Sequence, residues 1–297
     1  MTDYRCGMVT LVGRPNVGKS TLLNRLVGAK VSITSPRPQT TRHRLLGIKT
    51  SDTAQVIYVD TPGLHPPQGG RLGQHMNRAA RTSLEGVDAI VLVITSAGWT
   101  EADEYPLKLA TAAGLPVILA INKIDRLKDR SRLLPLIEES SAKLGFAEIV
   151  PVAALRGDNV DALERALIKL LPVQPPIYPK DQLTDRSERF LAAELVREQV
   201  FRGFRQEIPY AVAVQIEKFK HEKGTLHIAA TLWVEKEGQK AILIGKGGEQ
   251  MKTIGTRARL AMQKTFGGKV HLELWVKVRE HWSDDARALK TLGYETD

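Results

Sequence analysis

Eight residues, Gly13-Arg14-Pro15-Asn16-Val17-Gly18-Lys19-Ser20, constrain this chain more than any other stretch. They match G-x-x-x-x-G-K-[ST], following the apolar run 8–12 and opening a short helical stretch over 20–27. A strand, a glycine loop and a helix in that order aim backbone N–H groups and a positive helix end at a string of phosphates. Gly13 and Gly18 let the main chain close around the anion, and Arg14, Pro15, Asn16, Val17 and Thr21 complete the contacting set. Lys19 can reach the outer phosphates, and the Ser20 hydroxyl can ligate Mg²⁺. A simple glycine-rich turn would not require the flanking strand and helix.

The pattern around this loop continues in kind. Runs at 44–50 and 55–59 read as strands joined by a polar turn at Ser51-Asp52, and a helical stretch follows over 70–85. Strands over 88–94, 116–121 and 148–152 then alternate with helices over 101–113, 130–144 and 158–170. Alternating β and α elements with apolar strands predict a mostly parallel sheet covered on both faces. Such sheets bind ligands outside the carboxyl ends of their strands. Pro172, Pro175, Pro176 and Pro179 end the series and form a stiff connector. We expect a first domain over 1–172, a linker over 173–184 and a second domain over 185–297. The second opens with a helix over 185–203, followed by strand-like runs at 210–219 and 225–234 that turn at Lys223-Gly224. A glycine-rich turn, a helix and a last strand over 270–278 complete it.

Composition limits the setting. A length of 297 residues suits two domains, and 42% hydrophobic with 26% charged residues fits neither a disordered chain nor a membrane span. A single cysteine, Cys6, excludes internal disulfides and multi-thiolate zinc sites, and the first residues do not read as a secretory signal, so a reducing cytoplasm is expected. The net charge of +10 suggests a polyanionic partner. It is concentrated: residues 236–279 carry 10 Lys/Arg against 3 Asp/Glu. A solvated lysine-rich face would look the same.

Three further motifs follow the loop in order. Asp60-Thr61-Pro62-Gly63 ends an apolar strand, where Asp60 can hold Mg²⁺ through water and the Gly63 N–H can meet a γ-phosphate. Alone it would be an ordinary turn. Asn122-Lys123-Ile124-Asp125 ends the strand over 116–121. The Asp125 carboxylate accepts from guanine N1–H and the exocyclic amine, donors that adenine lacks there. Asn122 would tether the phosphate loop and the Lys123 stem would lie along the base; the alternative is a helix N-cap. Ala153-Ala154 follows the next strand and can offer a backbone N–H to guanine O6. Between the first helix and second strand, Ser35-Pro36-Arg37-Pro38-Gln39-Thr40-Thr41-Arg42 supplies a threonine, taken as Thr41, that can complete the Mg²⁺ shell when a γ-phosphate is present. A plain surface loop is the other reading. Lys19, Thr41 and Gly63 are thus the candidate catalytic set, and Ser20, Thr41 and Asp60 the metal set.

These motifs, with the stretches at 39–43 (QTTRH), 60–65 (DTPGLH), 184–190 (TDRSERF) and 271–278 (HLELWVKV), make the chain resemble the Era family of bacterial ribosome-assembly GTPases over nearly its whole length. The resemblance implies an α/β, Ras-like P-loop GTPase domain with a C-terminal α+β type II KH domain. It also implies GTP/GDP and Mg²⁺ as ligands, and the 3′ region of 16S rRNA and the small ribosomal subunit as partners. No DNA partner is expected. A monomer in the cytoplasm follows, with peripheral contact at the inner face of the membrane left open. Two positions depart from a standard pattern. Ala153 stands where the family usually has Ser, and Leu64 stands where Ras-type switches place a glutamine that orients water. Slow intrinsic hydrolysis is the consequence. Asn16 is similar to the asparagine that helps related GTPases bind K⁺ beside the phosphates.

Ile244-Gly245-Lys246-Gly247-Gly248 fits the GXXG loop with which KH domains clamp a single-stranded backbone. Lys252, Arg257 and Arg259 follow on the next helix, free either to meet phosphates or to face solvent. The last strand alternates Val270, Leu272, Leu274, Val276 and Val278 inward, and Trp275 is either structural or a stacking platform. A rival reading is an RNA-binding scaffold whose nucleotide turnover is incidental. A P-loop kinase lacks an evident acceptor site, and N-K-x-D argues against ATP.

Overall fold

The computed structural model describes residues 3–63, 71–292 and 294. By contacts the chain divides into two units, one of Met1–Ser32, Thr41–Gln68 and Met76–Asp185, the other of Ile33–Thr40, Gly69–His75 and Arg186–Asp297.

The first unit is built on strands β1 (Arg5–Val12), β2 (Leu45–Thr50), β3 (Ala54–Asp60), β4 (Ala89–Thr95), β5 (Val117–Asn122) and β6 (Glu148–Pro151). Their order in the sheet is β2-β3-β1-β4-β5-β6, all neighbours parallel except the β2–β3 hairpin at one edge. Every residue of β3, β4 and β5 is buried, as strands covered on both faces require. Helices α1 (Lys19–Val27), α2 (Arg71–Thr82), α3 (Glu101–Ala112), α4 (Leu133–Ser141) and α5 (Val160–Leu170) link them. α1 and α5 pack Leu22, Leu23, Leu26, Leu163 and Leu167 on one face. α3 and α4 pack Ala110 and Leu136 on the other. The helix expected over 130–144 begins as a separate 3₁₀ turn at Arg130–Arg132. From β1 the chain runs outward to β3 on one side and to β4 on the other, so a crevice opens at the β1 carboxyl end, where the glycine loop begins.

The proline-rich stretch is extended, and it is hydrogen-bonded to this sheet. Pro172 O accepts from Cys6 N at 3.1 Å, the N–H groups of Ile177 and Tyr178 reach Gln55 Oε1, and Ile48 N donates to Leu183 O at 2.8 Å. Buried Gln55 anchors a segment whose prolines cannot donate.

The second unit contains α6 (Glu188–Gly203), β7 (Ala213–Glu222), β8 (Thr225–Val234), α7 (Glu237–Ile244), α8 (Glu249–Phe266), β9 (Lys269–Val278) and α9 (Ala286–Thr291). Its sheet is β7-β8-β9, with β7 antiparallel and β9 parallel to the central strand. α6 and α8 bury Leu195, Val196, Ile254, Ala258 and Met262 against Ile228, Leu232 and Val270. Three features depart from the periodicity. β7 starts at Ala213, because Tyr210 N and Ala211 N turn back onto Glu207 O. α7 is an additional helix ahead of the glycine loop, and α9 closes over Trp282, which is 0 % exposed. Trp275 points away from the core at 47 % exposure, so it is not a core residue. Segment Ile33–Thr40 belongs to this unit through α6: Thr34 N donates to Glu198 Oε1 at 3.0 Å, and buried Arg197 donates to Thr40 O at 2.6 Å. Among the described residues, no helix is long and apolar enough to cross a membrane.

Candidate nucleotide site and candidate RNA loop

In the first unit the loop leaves β1 at Val12 and enters α1 at Lys19. Gly18 has φ +105° and lies so close to the Asn122 side chain that a Cβ would strike it. The Lys19 ammonium is folded inward at 6 % exposure and donates to Gly13 O (2.8 Å) and Arg14 O (3.1 Å). Burial pulls it down to about 8, although Asp60 works against this. A buried cation held on carbonyls is suited to an anion.

Asp60 is 0 % exposed at the end of β3. Its Oδ2 accepts from Ser20 Oγ at 2.8 Å and from Ser32 Oγ at 2.7 Å, and Ser20 Oγ lies 2.9 Å from Thr41 Oγ1. Burial pushes the carboxyl above its ordinary range, against those hydrogen bonds. One carboxylate among hydroxyls is a hard-oxygen donor set, which fits Mg²⁺ shared with phosphate and water. Gly63 reaches the loop from the other side, where a Cβ would lie 2.9 Å from the Pro15 ring. Leu64 lies outside the described residues.

Asn122 joins three loops. Its Nδ2 donates to Val17 O at 2.8 Å, and its Oδ1 accepts from Lys123 N (2.7 Å) and Ala154 N (3.0 Å). Lys123 adopts a left-handed backbone at φ 65° and its Nζ donates to Asn16 O. Its ammonium is held below its usual range, chiefly by burial. The half-exposed Asp125 carboxylate has no hydrogen-bond partner among the described residues. Ala153 N donates to Asp158 O at 3.0 Å, so this N–H and that of Ala154 are both engaged within the protein.

The structure therefore brings Gly13, Lys19, Ser20, Thr41, Asp60, Gly63, Asn122, Lys123 and Ala154 together at the carboxyl ends of β1, β3, β5 and β6. Asn16 is exposed on the loop, and Thr21 is half-buried on α1. Arg14 turns elsewhere: its guanidinium pairs with buried Asp103 at 3.1 Å and reaches Thr95 Oγ1 at 3.4 Å. The sequence reading missed Ser32 and Asn24. Asn24, one turn after Ser20 on α1, accepts from Val31 N and Ser32 N at 2.9 Å and so places Ser32 on Asp60. The only available signal was the i, i+4 spacing of Ser20 and Asn24.

In the second unit, Gly245 to Gly248 join α7 to α8 as a tight turn with Gly248 N–H on Gly245 O. Lys246 and Gly247 are exposed, and Gly248 caps α8. At about 100° per residue, Lys252 and Arg259 fall on one flank of α8 and Arg257 on the other, so the three do not form a single row.

Comparisons with known proteins agree with this geometry. The family model described as 50S ribosome-binding GTPase matches residues 8–123, and the KH domain model matches residues 207–283. GTPase Era of Stenotrophomonas maltophilia (strain R551-3) is 55% identical over 99% of both chains. GTPase Era of Xanthomonas axonopodis pv. citri (strain 306) is 56% identical over 99% of this chain and 98% of its own. Two solved structures superpose with a TM-score of 0.94 at 42% identity. One is a point variant of Aquifex aeolicus Era bound to GDP and AlF4⁻, matched over 98% of this chain and 100% of that one. The other is Era with MgGDPNP and nucleotides 1506–1542 of 16S ribosomal RNA, matched over 99% and 100%. A P-loop α/β unit and a KH unit occur here in one chain, with that identity along its whole length, and the chain belongs to the Era family of GTPases.

Proposed function

We propose that this GTPase binds GTP and GDP with Mg²⁺ at the β1/β3/β5/β6 site and holds the 3′ region of 16S rRNA through its KH loop, acting in assembly of the small ribosomal subunit. The Asn122 side chain carries the nucleotide half, since it ties the phosphate loop at Val17 to the base loop at Ala154. Lys19 and the Gly63 N–H meet the β- and γ-phosphates. Ser20, Thr41 and Asp60 hold the metal, and Asp125 reads guanine N1–H and N2. Bound Mg²⁺ neutralises charge that develops on the phosphates. Hydrolysis is slow without help. Asn16, exposed beside the loop, is our candidate for a K⁺ ligand, which unequal single-turnover rates in K⁺ and Na⁺ would support.

For the RNA half, Ile244, Gly245, Lys246, Gly247 and Gly248 approach the backbone, with Lys252 and Arg257 adding charge from different flanks of α8. A relative crystallised with 16S rRNA nucleotides supports this assignment. We place the domain boundary at the proline-rich stretch over 173–184, the working form as a monomer, and the site of action in the cytoplasm.

Isothermal titration of the full chain with GDP and Mg²⁺, then with a 16S 3′-end oligonucleotide, tests both halves. Asp125→Asn should reverse preference from GTP toward XTP by a hundredfold or more, about the cost of leaving a base-reading group unpaired. Unchanged selectivity refutes the base assignment. A chain that binds GTP but cannot hydrolyse it, and that still supports subunit assembly fully, would favour the scaffold reading.

A further inference from the structure

Arg25 sits in the last turn of α1, outside every motif named above. An exposed arginine near a helix end would ordinarily be accounted for by solvent and the helix dipole. This one makes two directed bonds to the base loop between β6 and α5. Its Nε donates to Ala154 O at 3.2 Å and its Nη2 to Leu155 O at 2.5 Å. The same residue, Ala154, is held from the inside, where its N–H meets Asn122. Ala153 and Ala154 are buried and carry no polar side-chain atom, so no hydroxyl of their own helps to hold this turn.

We propose that Arg25 is a positioning residue for base recognition: by gripping the Ala154 and Leu155 carbonyls it aims the Leu155 N–H at the O6 of guanine. In a trans peptide the C=O and the following N–H lie in one plane and point in opposite directions. Holding Ala154 O on the Arg25 side therefore turns the Leu155 N–H away from Arg25. That N–H has no partner among the described residues, whereas those of Ala153 and Ala154 are engaged on Asp158 O and Asn122 Oδ1. A planar fork suits two successive carbonyls in a way a single ammonium does not.

The inference rests on the guanine reading above, and its test separates the two. Purified protein is titrated with Mg²⁺ and either GDP or the diphosphate of 2-aminopurine riboside, which keeps the N2 amine and lacks O6 together with the N1–H, so each variant is compared with the unaltered protein on the same ligand. Failure of the unaltered protein to bind GDP would remove the site assignment itself. If it binds, Arg25→Ala should weaken GDP by about tenfold, the worth of two ordinary hydrogen bonds, and leave the O6-lacking ligand within about twofold. Equal losses on both ligands, or none on GDP, overturn the proposal. Arg25→Lys, which keeps the charge at the helix end, should reproduce most of the O6-dependent loss. Full affinity in that variant would show that charge alone matters, and would overturn it as well.

Discussion

At the nucleotide site almost every polar group already has a partner: Lys19 rests on two carbonyls, Asp60 accepts from two serines, and Asn122 joins three loops. In the loop from Gly245 to Gly248 the main chain is open at its tip: Cβ atoms added at Gly247 or Gly248 would touch nothing within 4 Å, while one at Gly245 would strike Gln250. Both regions are assigned to phosphate. They differ because a small triphosphate is enclosed, so its site must be preorganised in low dielectric, while a strand of RNA lies along a surface. Enclosure makes the first site sensitive to shape and protonation. Exposure makes the second sensitive to charge and salt.

Four measurements would break or sharpen that contrast, the largest effect first. Gly18→Ala forces a side chain onto Asn122 at φ +105° and should weaken GDP binding by about a hundredfold, from backbone strain plus displacement of the tether. Calorimetry showing less than a fivefold loss would mean the loop is looser than its contacts imply. Gly247→Asp, with φ 61° but open space around it, should leave the melting temperature within a few degrees and GDP affinity unchanged, yet weaken the 16S oligonucleotide by about tenfold through like-charge repulsion. Unchanged RNA affinity would reduce the loop to a turn.

The third measurement is pH. Burial disfavours the charge of the Lys19 ammonium and pulls it down to about 8, and an incoming phosphate restores it. Below that pH the cation is already formed. Above it, binding must take up a proton, so affinity should fall as pH rises, by up to about tenfold per unit. A flat profile between pH 7 and 9.5 contradicts the enclosed-cation picture. The smallest effect belongs to Lys246→Ala, which should cost about threefold in RNA affinity and lower the salt slope by roughly 0.7, the contribution of one single-strand phosphate contact. An unaltered slope would place this lysine in solvent.

Legibility in the sequence followed the same division. The phosphate loop, D-x-x-G, N-K-x-D and the GXXG loop are short, and each announces itself where a strand or helix ends. The central strands of the first unit, β1, β3, β4 and β5, were readable because parallel strands with both faces covered need unbroken apolar runs. α7 was not, because eight residues with two glycines close by, Gly238 within it and Gly245 after it, read as part of a glycine-rich turn. α9 was missed for a different reason: its six residues are good helix formers but too few to hold a helix alone, and its stability comes from packing with Trp282 and Tyr294. Trp275 could not be decided from alternation alone, since an outward strand position says nothing about whether something covers it.

The amino-acid order by itself singled out most of the candidate phosphate, metal and base-reading groups and the kind of element that carries each one, because those are local matters of spacing and backbone permission. Tertiary structure alone decided the partners. Ser32 meets Asp60 across 28 residues, Arg14 leaves the phosphate loop for Asp103, and Arg25 grips a loop about 130 residues away. Such pairings depend on how distant segments pack, and no single stretch of chain encodes a distance to another.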